Sequence, residues 1–415
     1  MTLTASNAGT RIAQPVWWRL PLLGLALVTM LAAVQGGLFR LGWAGPASAA
    51  VPHHGPLMIS GFLGTLISLE RAVALGRGWS YAAPAACLAG GLVLLLGLSP
   101  VMAQLLFVAG SAVLALAFVP VLQRQRETFV WVMLIGAVAW LIGNLLWLAG
   151  GSVPEAVPWW VAFLVLTIVG ERLELSRFLG RTRGQHVSFL VVTGIYILGL
   201  VWTWIDAGVG LVWLGLGQVG LAIWLGRFDL ARRTVRQRGL TRFVALALLA
   251  GYGWLAFAGA LSLVHALTPW NGTLVTGLAQ PLPPAGPVYD AVLHATLLGF
   301  VFSMIFGHAP IIFPSVLGVR MQFGRHFYLH LLLLHATLAI RLIGDLTGLV
   351  AWRQWGGLGN AVAIAVFLLV TAASVRFYRR HNQRSSQEQA SPTARLNVLS
   401  NPAVSGGPSR GEQNS

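Results

Sequence analysis

Twelve apolar stretches, most of about twenty residues, follow one another between Val16 and Tyr378, separated by short polar loops. A stretch of that length and character crosses a bilayer as a helix, because every backbone polar group must be satisfied within the segment. The expected spans are residues 16–39, 56–75, 80–99, 101–122, 128–150, 157–179, 187–206, 208–226, 242–264, 288–314, 327–349 and 357–378. Composition agrees: 56% of residues are hydrophobic and 9% charged, with a mean hydropathy of +0.75. A water-soluble domain carries about 25% charged residues. The chain therefore reads as all-α, a polytopic membrane helix bundle over residues 16–378. Polar ends at 1–15 and 379–415 read as disordered, the latter opening on Arg379, Arg380 and Arg384 before turning Ser/Gln/Asn/Pro-rich.

All 27 basic residues are arginine, and their placement orients the bundle. Alternate connections hold Arg71 and Arg77, Arg124 and Arg126, Arg172 to Arg183, Arg227 to Arg242, and Arg320 with Arg325. Both ends of the chain are arginine-bearing too. The excess of arginine on cytoplasmic loops then puts both termini in the cytoplasm of a bacterial-type inner membrane. Only Arg40, Arg341 and Arg353 fall near the opposite, outer side. A sequence pI near 11.6 could suggest nucleic acid as a partner, but arginines confined to loops between apolar spans set topology; the partner is the lipid bilayer, with the Arg227–Arg242 connection suited to its anionic inner face. The single cysteine, Cys87, excludes an internal disulfide and any thiolate cluster. Ala47-Ser48-Ala49 resembles a signal-peptide cleavage site, but the preceding apolar run is long and Arg40 interrupts the approach, so the first span is expected to be retained.

Ionisable residues at membrane depth are costly and point to function. Eight of the ten histidines sort by depth into two sets, while His186 and His381 fall in cytoplasmic connections. The outer set is His53, His54, His265 and His294, on three helices. The inner set is His308, His326, His330 and His335. His294 and His308 share one span, fourteen residues and roughly 21 Å apart, on nearly the same side. A neutral imidazole ligates haem iron and copper, and two helices that each present one to a flat macrocycle make a bis-histidine haem site. His54 and His294 are the preferred axial pair, with His53 the alternative on the second span. Below His54, residues Met58, Gly61, Thr65 and Ser68 fall on one stripe at helical spacing, which leaves room for a macrocycle or, equally, lets helices pack closely. His308 and His330 are candidates for a second metal site or a structural pair, with His335 nearby in sequence. Glu70-Arg71 and Glu171-Arg172 end two spans and call for partners. Asn144, Arg341 and Asp345 are further polar groups at depth, and a haem propionate suits an arginine.

His53-His54-Gly55-Pro56-Leu57-Met58-Ile59-Ser60-Gly61-Phe62 resembles the His-x-x-x-Met-x-x-Gly-Phe segment on the second helix of the NnrS-like membrane proteins. Leu293-His294-Ala295-Thr296-Leu297-Leu298-Gly299, with Gly307-His308 beyond it, resembles that family's Leu-His-Ala-x-x-x-Gly…Gly-His segment. The likeness covers these two segments and the twelve-span layout. It implies a haem- and copper-containing inner-membrane protein linked to nitric oxide metabolism and nitrosative stress, distantly similar to subunit I of haem–copper oxidases. A haem between His54 and His294 would have its edge near the outer surface, within reach of a periplasmic or membrane electron donor. The oxidase copper pattern is absent: the sixth span carries Glu171 and no histidine, and residues 187–206 have none. Haem is thus favoured over copper. Two other classes remain open, a twelve-helix secondary transporter, in which Thr65–Arg71 and Thr167–Arg172 would echo each other as repeats, and a non-catalytic sensor or assembly factor.

Overall fold

In the computed structural model, residues 18–45, 49–268, 286–319 and 321–399 are described, the side chains of 178, 315, 317 and 377–399 excepted. Twelve helices are long and apolar enough to cross a membrane. They are α1 (Arg19–Arg40), α2 (His54–Leu75), α3 (Gly78–Leu95), α4 (Pro100–Arg124), α5 (Thr128–Leu148), α6 (Val153–Leu175), α7 (Arg183–Trp202), α8 (Ala207–Phe228), α9 (Gly239–Leu267), α10 (Pro287–Pro314), α11 (Phe327–Thr347) and α12 (Val350–Arg376). The described residues contain no strand, so the protein is an all-α polytopic bundle.

The sequence explains where these helices start and stop. Ser99 caps α4 by accepting from the Met102 N–H, with Pro100 in the first turn. Asp206 caps α8 in the same way through Val209. Gly76 and Gly348 close α2 and α11 in the left-handed conformation that a Cβ resists. Past Arg376 the backbone of α12 continues as helix to Leu399, where the composition suggested disorder from 379. The stretch carries four arginines and three glutamines, residues with good intrinsic helix propensity. The terminal residues 1–17 and 400–415 lie outside the described part.

Neighbours in sequence pack as neighbours in space: α3 on α4, α4 on α5, α5 on α6, α7 on α8, α8 on α9, and α11 on α12. Across that order, α1 lies against α2 and α3, while α10 lies against α6, α9 and α11. α6, α10 and α2 are the most enclosed helices. α2 is tied inward by a buried polar knot. Asn144 of α5 accepts from Ser60 (3.3 Å) and from the Trp160 indole (3.0 Å), and donates to the Phe107 carbonyl and Ser111. Trp140 completes it by donating to Ser60 at 3.0 Å. Every polar atom of Asn144 is satisfied, which is what a polar residue needs to be tolerated at that depth.

The two enclosed helices that carry candidate ligands depart from α geometry. Residues Leu57–Leu63 of α2 and Ala295–Phe302 of α10 are π-helical. Each widened turn takes in one extra residue, so the face presented below it rotates. The expected stripe on α2 breaks for this reason. His54 and Met58 keep to one face, but the cavity wall continues through Ile59 and Leu63. Gly61 instead meets Gly91 and Thr29, and the Thr65 and Ser68 hydroxyls bond back to the Gly61 and Gly64 carbonyls. Those small residues serve helix packing, not the cavity.

Candidate functional site

A cavity of about 680 Å³ opens between α1, α2, α6, α10, α11 and α12. That is within the usual size of a ligand pocket. His54, the first residue of α2, and His294, two turns into α10, both line it. Their rings are held alike. His54 Nδ1 lies 2.6 Å from the Ala33 carbonyl of α1, and His294 Nδ1 lies 2.7 Å from the Asp290 carbonyl one turn before it. A carbonyl can only accept, so each Nδ1 carries the proton and each Nε2 holds a lone pair. Among the described residues neither Nε2 has a hydrogen-bond partner. Metal-ligating histidines are typically oriented in this way, with the second nitrogen donating to a carbonyl or carboxylate.

Close packing makes room for the first ring. A Cβ on Gly37 of α1 would stand 2.9 Å from His54 Cε1, and one on Gly36 would stand 2.7 Å from the Ala50 carbonyl oxygen. The Gly36-Gly37 pair therefore lets the segment before α2 lie against α1.

The three arginines that fall outside the alternating loop pattern meet here. Arg40, Arg341 and Arg353 all line the cavity. Arg353 pairs with Asp290, and its Nε lies 2.8 Å from Asp345 Oδ1. Arg341 Nε lies 3.8 Å from the other oxygen of Asp345. Arg40 makes no ion pair among the described residues and is exposed. Three guanidiniums thus stand against two carboxylates, and the wall keeps an excess of positive charge. Met58, Leu293, Leu297, Leu298 and Phe302 supply an apolar floor. Two imidazole lone pairs, an apolar slot and surplus guanidiniums form a donor set that fits a flat, largely apolar macrocycle bearing carboxylates.

The remaining expected ligands lie elsewhere. His53 precedes α2, is half-buried and does not line the cavity. Burial holds its pKa below the ordinary imidazole value. His265, near the end of α9, is buried but is likewise absent from the wall. His308 is saturated: Nδ1 meets the Met304 carbonyl at 2.8 Å and Nε2 meets Arg172 at 3.1 Å. Arg172 in turn grips Asp229 with two bonds of 3.0 and 3.1 Å. His330 is fully buried among Phe243, Phe306, Phe327 and Phe367, with no hydrogen bond at either nitrogen. His335 accepts from the Trp254 indole at 2.9 Å. His308, His330 and His335 thus occupy three separate environments. Among the described residues, no three His, Cys, Asp or Glu side chains gather as a metal-holding group.

The two acid–arginine motifs find partners. Arg71 of the first pairs with Glu171 of the second at 3.6 Å, and also reaches Met133 Sδ. Arg172 takes Asp229, a residue the sequence reading left aside. The signal was available, since Asp229 is the one acid inside the arginine-rich Arg227–Arg242 connection. Asp290 was also missed as a site residue. Its signal is its place in the first turn of α10, one turn before His294.

No curated protein matches this chain. A family described as a domain of unknown function, DUF8744, matches residues 19–376, which takes in all twelve membrane helices and the whole cavity wall. The chain belongs to that family.

Proposed function

We propose that this protein binds a haem between His54 and His294 and serves redox chemistry at the outer side of a bacterial inner membrane, in nitric oxide or nitrosative-stress metabolism, as the NnrS-like resemblance implies. One observation carries the reading. Two imidazoles from different helices line one cavity, each with Nδ1 tied to a backbone carbonyl and Nε2 left open. When bound there, the haem supplies one-electron transfer.

The chain's own residues bind, orient and shield. His54 and His294 would hold the iron through their open Nε2 nitrogens. The Ala33 and Asp290 carbonyls fix their tautomers and turn the rings. Arg40, Arg341 and Arg353 offer charge-assisted hydrogen bonds to carboxylates at the rim. The apolar side chains below keep water from the macrocycle. With both chain ends in the cytoplasm, as the arginine alternation implies, the rim faces the periplasm and a donor on that side.

The test is a reduced-minus-oxidised absorbance spectrum of the full chain purified in detergent, with haem quantified as the pyridine complex. The expected result is a six-coordinate spectrum that disappears in both His54→Ala and His294→Ala. If the wild-type protein carries no haem and takes up no added hemin, the reading fails and a secondary transporter moves ahead. A reporter fused after Tyr378 is expected to be active only in the cytoplasm; activity on the other side would reverse the orientation.

A further inference from the structure

The two imidazoles are backed by unlike supports. Ala33, behind His54, carries no charge and sits in the middle of α1. Asp290, behind His294, does two things at once. Its carbonyl accepts the His294 Nδ1–H at 2.7 Å, and its carboxylate pairs with Arg353 on α12. Arg353 continues to Asp345 on α11, whose other oxygen faces Arg341. Asp345 is fully buried, so this relay is screened little by water. The acid lies in the first turn of α10, where the helix dipole favours it. One chain of contacts thus runs from the His294 ring through three helices to the two arginines of the cavity wall.

We propose that Asp290 is the positioning residue of the His294 site: its ion pair with Arg353 fixes the turn that aims the imidazole and sets the charge the bound iron senses. The inference rests on the haem reading above. Two consequences separate it from a merely structural role. Asp290→Asn keeps the backbone carbonyl and the side-chain shape but frees the Arg353 charge beside the cavity. Positive charge favours the reduced metal, so the midpoint potential should rise. Arg353→Gln removes a cation from the wall and leaves Asp290 unpaired, so the potential should fall. A residue that only holds the fold together would not move the potential in opposite directions in these two variants.

The experiment is a redox titration of the full-length wild-type protein, Asp290→Asn, Arg353→Gln and the double variant, each purified in detergent and loaded with hemin. Hemin affinity and low-temperature spectra of the oxidised forms are measured alongside. Expected are opposite potential shifts, a double variant close to wild type in potential, and about tenfold weaker hemin binding in each single variant, because the ion pair that fixes the turn carrying His294's outer partner is lost. Haem retained at wild-type affinity with potentials unchanged, or shifted the same way in both, overturns the proposal while leaving the haem reading intact. Should Asp290→Asn fail to fold, Asp290→Glu keeps the charge and displaces the pair; a wild-type potential and spectrum there also overturn it. A wild-type protein that binds no hemin overturns the haem reading and this inference together.

Discussion

His294 and His308 stand on one helix and begin alike, each tethered through Nδ1 to the carbonyl four residues before it. They differ at the other nitrogen. His294 Nε2 is open on a cavity, while His308 Nε2 is taken by Arg172, itself clamped to Asp229. The i−4 tether is what a helix offers any histidine, so it says little about use. The far nitrogen decides. An imidazole with both nitrogens engaged and a buried ion pair behind it is a structural element. An imidazole held by one nitrogen and open at the other is arranged to bind.

The largest expected effect breaks the comparison directly. With haem held as proposed, His294→Ala should lose essentially all of it, since one of the two proposed ligands is gone. His308→Ala should keep haem content and band positions and lose only stability, by about 1–3 kcal/mol for the hydrogen bonds removed. Haem quantification and thermal melts of the two variants, side by side, are the measurement. If His308→Ala also loses haem while still folded, the distinction between the two nitrogens fails.

Asp229→Ala should be the next most severe change, now in stability alone. It leaves Arg172 as an uncompensated charge in a site where the guanidinium is 5% exposed. Breaking one partner of a buried pair costs about 3–5 kcal/mol. Loss of melting temperature with an unchanged haem spectrum in the surviving folded fraction is expected. An unshifted melt would show that the inner half does not depend on this pair.

Much of this was legible in the sequence, and the rest was hidden for definite reasons. Span number and order follow from hydropathy and length, which the bilayer dictates. Arg40, Arg341 and Arg353 stood out as exceptions to the arginine alternation. That they share one cavity depends on α1, α11 and α12 closing together, which no local pattern encodes. The α2 stripe was misread because a π-helical segment cannot be recognised from spacing alone. Its widened turns depend on what packs around them, including the Asn144 knot that holds Ser60. The His330 enclosure was out of reach for the same reason, since its phenylalanines come from α9, α10, α11 and α12.

A subtler change acts on the open site without touching a ligand. Gly37→Ala would place a methyl 2.9 Å from His54 Cε1. Either the ring turns or α1 retreats, and both disturb the 2.6 Å contact to Ala33. Crowding of this kind costs about 1–3 kcal/mol. A several-fold weaker hemin affinity is expected from hemin titration, together with a lowered melting temperature. Unaltered affinity would mean that α1 yields freely and that the glycine serves another purpose.

The smallest effect concerns a histidine of neither kind. His330 has no hydrogen bond at either nitrogen and is wrapped in phenylalanines, the nearest ring centroid, that of Phe306, at 4.9 Å. A buried polar group without a partner costs about 1–3 kcal/mol, and an apolar residue of similar size removes that cost. His330→Leu should therefore melt at the same temperature as the wild type or slightly higher, with haem unchanged. Metal analysis of both proteins completes the test. If the wild type holds a metal that His330→Leu lacks, the aromatic enclosure is a ligand site after all, and the inner half of the bundle carries chemistry of its own. If metal content is equal and stability is not reduced, the open nitrogen of a histidine marks a binding site only where a cavity stands in front of it.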